Sequence, residues 1–292
     1  MARAETEAAR GGTRMARPGA EMAAGTRMAA AGTRMAPREV RAPSAISRDR
    51  LLSLAGFVAI WWAGAHLATS PGLLPGPGRV AMFAWHACVT GALPAAFVAT
   101  LARVVIAFVI AMIGGGVLGY VAGCSGRVNA WVDPWVVIAL NLPVLVIVVL
   151  AYVWVGLNDA AAILAVVLAK APTVVVTVRE GARALDSGLA EMARAFRLPA
   201  GRRLRFVVLP QMLPYLAAAG RSGLSITWKI VLLVELLGRP SGVGYELNLF
   251  FQDFNVTGIL AYGLAFAGLM LLVESALLQP LERRATAWRC NA

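Results

Sequence analysis

The stretch EMARAFRLPAGRRLRFVVLP, residues 191–210, places five arginines between two long apolar runs. Upstream and within it, Leu189, Met192, Ala193 and Phe196 recur at i, i+3, i+4 and i+7, an apolar stripe on a short helix. Asp186 and Ser187 are candidate caps at its start. Pro199 suits the first turn of a following helix, and Pro210 is predicted to end that helix where the membrane begins. The expected unit is a helix–turn–helix on a membrane surface, arginines outward, with a small apolar ridge. Two readings compete for that ridge. It can dock into a groove on another protein and pass rigid-body motion to the spans, or it can rest on anionic lipid.

The surrounding chain makes lipid the solvent. Of 292 residues, 59% are hydrophobic and 14% charged, well below the ~25% charge of a soluble domain. Apolar runs long enough to cross a ~30 Å hydrocarbon layer are predicted over 51–68, 104–122, 135–156, 160–178, 212–237 and 258–278. The expected fold is therefore all-α, a polytopic helical bundle of about six spans over residues 51–292. Gly114, Gly115, Gly116 and Gly119 in the second span allow close helix contact. The segments TSPGLLPGPGR (69–79) and GRPSGVGYELNLFFQDFN (238–255) read as external loops. Residues 1–50 hold ten arginines and three copies of GTRMA, and are expected to be disordered.

Charge placement orients the bundle. Arginines cluster in the N-terminal arm, at Arg127, in the 179–205 loop and in the tail at Arg283, Arg284 and Arg289. Arg79 and Arg239 remain on the other face, with Arg103 at a span edge. By the positive-inside rule both termini are expected in the cytoplasm. The net charge of +12 is thereby accounted for without nucleic acid, for which no recognition motif is present. Cys88, Cys124 and Cys290 have no CxxC spacing and read as small apolar fillers, and His66 and His86 form no metal-ligand pattern. Neither lysine follows a glycine, so there is no P-loop, and no HExxH or G-x-S-x-G pattern occurs. No catalytic residue, metal or bound cofactor is expected.

Residues 191–210 resemble the signature of permease subunits of ATP-binding cassette importers: E-A-A, three residues, G, nine residues, then I-x-L-P. Glu191, Met192 and Ala193 match the first part with one substitution, and Val207, Val208, Leu209 and Pro210 fall at the spacing of the second. Arg197 stands at the glycine position, with Pro199 or Gly201 nearby to supply a break. LLPGPGRV (73–80), TLARVVIAF (100–108) and SGVGY (241–245) are similar to the nitrate/sulfonate/taurine group of these permeases. The resemblance implies a type I importer permease fold. It also implies a coupling helix built on Glu191, Met192, Ala193, Phe196, Arg197, Leu209 and Pro210, a partner ATPase that uses the ATP, an external solute-binding protein and a permease homodimer. An ion-coupled secondary transporter is the alternative. That class uses broken midplane helices, and Pro172 and Pro214 are places where helices could be interrupted.

Both lysines, Lys170 and Lys229, fall within predicted spans. Arg221 and Ser225 share a helix face with Lys229. An ammonium in hydrocarbon costs ~2.5–3.5 kcal/mol and marks a pathway or a partner. These four residues are the candidate pathway for a small anion, the alternative being that each lysine pairs with an acid or reaches a membrane edge. Glu235 is expected at the outer end of its span, either close to the docking face of the solute-binding protein or, the preferred reading, as a solvated helix end.

Overall fold

The computed structural model describes residues 48–67 and 72–278. The 1–50 segment, apart from its last helical residues, the basic tail and Cys290 lie outside the described residues. Backbone contacts divide the chain into Met1–Leu54 and Ala55–Ala292, and the helical core lies in the second unit. Ten helices account for the described architecture: α1 Arg48–Leu67, α2 Pro77–Val89, α3 Ala92–Cys124, α4 Gly126–Asn141, α5 Val144–Val155, α6 Asp159–Arg183, α7 Ser187–Ala195, α8 Ala200–Gly238, α9 Val243–Gln252 and α10 Val256–Val273. The all-α expectation holds, with no strand among the described residues.

Four of these helices, α3, α6, α8 and α10, are long and apolar enough to span a membrane. The expected third span is not straight: α4 and α5 meet at 102° across Leu142 and Pro143. Pro143 cannot donate a backbone hydrogen bond and biases Leu142 away from helix; Leu142 is extended, at ψ 129°. Counting that pair as one crossing gives five. The run expected over 51–68 is α1, whose apolar part, Leu52–Leu67, is shorter than a full crossing.

The central helix is α6. Half of its apolar window is buried, against 28–39% for the other three long helices. One core cluster joins Val104 and Ala107 of α3, Val148 and Tyr152 of α5, Ala165 and Val166 of α6 and Val231 and Val234 of α8. A second packs Tyr262, Phe266 and Met270 of α10 against Leu93, Ala96 and Val243. The glycines of α3 explain how α6 comes so near. A Cβ on Gly119 would lie 2.6 Å from the Val175 carbonyl oxygen, and one on Gly115 2.9 Å from that of Ala171. Gly114 and Gly116 face open space, so only part of the predicted glycine contact is real.

Prolines within the long helices do not interrupt them. Pro172 lies inside unbroken α6 and Pro214 inside α8. Nor does Pro210 end a helix, contrary to expectation. A π-turn over Leu204–Val208 precedes it, and the Leu209 amide donates to the Leu204 carbonyl. The wider turn carries the chain past the proline that would otherwise clash with its preceding turn, so α8 runs from the surface hairpin into the span. Two expected loops also contain helices, α2 and α9. Cys88 and Cys124 are exposed rather than packed as fillers.

Candidate functional site

The hairpin over 186–210 forms as expected from its caps. Asp186 accepts hydrogen bonds from the amides of Gly188 (2.7 Å) and Leu189 (3.3 Å) at the start of α7. At its end the Leu198 amide bonds the Ala193 carbonyl and the Arg197 amide bonds that of Arg194, a Schellman closure. That closure requires a left-handed residue after the cap, and Arg197 adopts it at φ 49°. The glycine of the importer pattern thus has a conformational purpose, and here an arginine meets it. The turn is made at Arg197 itself; Pro199 caps α8 and Gly201 lies within it.

The stripe on α7 divides into two functions. Ala193 is buried against the body, whereas Leu189, Met192 and Phe196 are exposed, Phe196 at 75%. Glu191 and Arg197 are also exposed beside them, and Leu209 is partly exposed on α8. Pro210 is half-buried behind the π-turn. A residue absent from the sequence reading holds the hairpin to the span. The Gln211 side chain accepts from the Asp186 amide (2.9 Å) and donates to the Val207 carbonyl (2.8 Å). Its position one residue after Leu-Pro was the only available signal.

The four intramembrane candidates separate. Lys170 is 1% exposed, and its Nζ has no hydrogen-bond partner among the described residues. It packs over Gly223, where a Cβ would stand 2.7 Å from Lys170 Cε. Arg221 and Lys229 are exposed on α8 and Ser225 is half-buried between them, with Lys229 Nζ 5.5 Å from the Trp228 ring centre. Lys170 therefore belongs to the packed interior and the other three to an outer face of α8.

At the opposite end of the bundle lies a polar cluster that the sequence did not reveal. Glu235, expected to be solvated, is wholly buried. It accepts from Arg103 (2.6 Å), Thr100 (2.8 Å) and the Gly244 amide (2.9 Å). Arg103, expected at a span edge, lies well inside α3 and also bonds Asp159 (2.7 Å) and both the carbonyl and hydroxyl of Ser241. Arg239 completes the set through Asp159 (2.9 Å) and the Leu157 carbonyl. Gly242, at φ 109°, is required here, because a Cβ would fall 2.4 Å from the Glu235 carboxyl carbon. The cluster closes α3, α6, α8 and α9 on one another at this end.

A bundle of apolar spans, with a capped surface hairpin running directly into one of them, defines a helical integral membrane protein. Residues 115–284 match the family model of binding-protein-dependent transport system inner membrane components, and the chain belongs to this family of ATP-binding cassette importer permeases. It is 28% identical over 243 residues to a probable ABC transporter permease of Brucella abortus, covering 82% of this chain and 96% of that protein. It is 27% identical to the putative aliphatic sulfonates transport permease SsuC of Bacillus subtilis, covering 82% and 87%. To the taurine transport permease TauC of Escherichia coli it is also 27% identical, covering 83% and 91%. The fold is shared with the solved structure of an amino acid ABC transporter (TM-score 0.56, 18% identity, covering 68% and 96%). It is likewise shared with the MetNI methionine ABC transporter (TM-score 0.54, 23% identity, covering 68% and 95%). The ion-coupled alternative is not favoured by any of these matches.

Proposed function

We propose that this chain is the bacterial inner-membrane subunit through which a small anion of the sulfonate type enters the cell, with both termini in the cytoplasm. The ATP is hydrolysed by a separate ATPase that docks on α7, and the solute is delivered by an external binding protein. The chain itself holds no cofactor or metal. Two copies face each other and line one pathway, to which the Arg221, Ser225 and Lys229 face of α8 contributes. Lys170, sealed behind Gly223, becomes available to the anion only if α8 moves relative to α6. The sulfonate and taurine relatives support the solute class.

One observation carries the coupling role. Leu189, Met192 and Phe196 stand exposed on a helix whose other side, at Ala193, is anchored and whose C-terminal turn leads within four residues into α8. An exposed apolar ridge rimmed by arginines fits the groove of a partner, and α8 is a rigid connection from that groove to the bilayer. The test is copurification with the cognate ATPase from detergent-solubilised membranes. Phe196→Asp should reduce recovered ATPase at least tenfold while the amount of chain in the membrane is unchanged. Undiminished recovery, together with unchanged solute-stimulated ATP hydrolysis, would remove α7 from the coupling path.

A further inference from the structure

On the side of the bundle nearer α7, helices α3, α6 and the beginning of α8 enclose an apolar groove of about 420 Å³. Gly116, Val117 and Tyr120 line it from α3, and Leu204, Val208 and Met212 from α8. Of all its lining side chains only that of Tyr120 carries an oxygen or nitrogen. Gly116 opens the groove, since a Cβ there would meet no atom within 4 Å. The π-turn that carries α8 past Pro210 supplies its other wall.

The dimensions and the charge identify an occupant. Along α8 the lining runs from Leu204 to Leu216, about 18 Å at 1.5 Å per residue. One leaflet of a ~30 Å hydrocarbon core is about 15 Å deep. At the surface end of this groove Arg202, Arg203 and Arg205 are all exposed, and Arg203 is an electrostatic neighbour of Tyr120. A dry slot one leaflet deep, with guanidinium groups at its mouth, matches an acyl chain beneath a phosphate. A second copy of this chain is the competing occupant, and a disulfide between copies at Gly116→Cys would reveal it.

We propose that this groove binds one acyl chain of an anionic phospholipid, with Arg202 and Arg203 holding its phosphate. The inference requires only that the bundle is embedded in a bilayer, not that α7 couples to an ATPase. The occupant sits against the π-turn, where the surface hairpin becomes the span.

The test uses the full chain assembled with its ATPase in mild detergent. Phosphatidylglycerol carrying a diazirine in one acyl chain is added, irradiated and mapped by mass spectrometry. Adducts should concentrate on residues 112–120 and 204–216. Gly116→Leu should reduce them at least fivefold while adducts elsewhere on the lipid-facing surface persist. Val117→Trp, a second plug at an exposed position, should do the same. Arg202→Gln with Arg203→Gln should bring labelling down to that obtained with phosphatidylcholine bearing the same diazirine. The proposal fails if the plugged and unplugged chains label alike, or if phosphatidylcholine labels the original chain as well as phosphatidylglycerol does. It also fails if Gly116→Cys, with Cys88, Cys124 and Cys290 changed to serine, forms a disulfide between two copies.

Discussion

Glu235 shows what a single buried carboxylate can fix. It has three donors, from α3 and the start of α9, and its charge is met by Arg103. Removing one partner of a buried ion pair leaves the other uncompensated and costs about 3–5 kcal/mol, whereas replacing both by apolar groups is often far milder. Glu235→Ala should therefore lower the thermal stability of the detergent-purified chain sharply. Arg103→Met with Glu235→Leu should lose less than the sum of the two single changes, and strict additivity would refute mutual dependence. A milder and opposite effect is expected at Arg197. A left-handed conformation costs a non-glycine residue roughly 1–2 kcal/mol, so Arg197→Gly should raise stability by about 1 kcal/mol, read as a higher melting temperature. A fall would mean that the guanidinium makes a contact worth more than the strain.

Among elements, the α3–α6 contact rests on which glycines face α6. Gly119→Val should prevent compact assembly, because its Cβ would already collide with the Val175 carbonyl, whereas Gly114→Val, facing open space, should be tolerated. Size-exclusion profiles in detergent separate the outcomes, and equal behaviour of the two variants would contradict the packing. Gly114, Gly115, Gly116 and Gly119 announced a close contact but not its register, since a helix face becomes specific only once its partner is known. The cap and the apolar stripe of the surface hairpin were legible because they are local properties of residues 186–196, whereas the turn at Arg197 and the passage through Pro210 depend on backbone conformations that residue types alone do not specify. Pro143 was legible in principle as a break, yet it is flanked by apolar residues that read as one continuous span. Helices α2 and α9 were missed for a different reason. The glycines and prolines that begin them read as loop, and their stability comes from packing on α3 and α10, as with Val243 and Phe250 against Tyr262. The Glu235 cluster was illegible because it joins residues as distant as Thr100 and Val243, whose amide donates to the Thr100 hydroxyl.

For the whole molecule, the exposed charge on the outer face of α8 bears on where two copies would meet. Arg221 and Lys229 are exposed eight residues apart within a helix that otherwise crosses an apolar layer. Facing hydrocarbon, the Lys229 ammonium would cost ~2.5–3.5 kcal/mol near the bilayer centre, a penalty avoided when the face lines an aqueous path or meets another protein surface. Under the two-copy proposal both conditions are met at once, because the interface between copies is also the pathway. Two-fold symmetry then brings each residue near the axis close to its own counterpart. Ser225 lies between the two charges on this face. Ser225→Cys, in a chain with Cys88, Cys124 and Cys290 changed to serine, should therefore form a disulfide between copies on mild oxidation in native membranes. Addition of a transported anion or of ATP analogues should change the yield, since the pathway must open and close during transport. The control is a cysteine at Val153, exposed on α5, which should cross-link weakly. Efficient cross-linking at Val153 with none at Ser225 would place the interface, and with it the pathway, on a different side of the bundle.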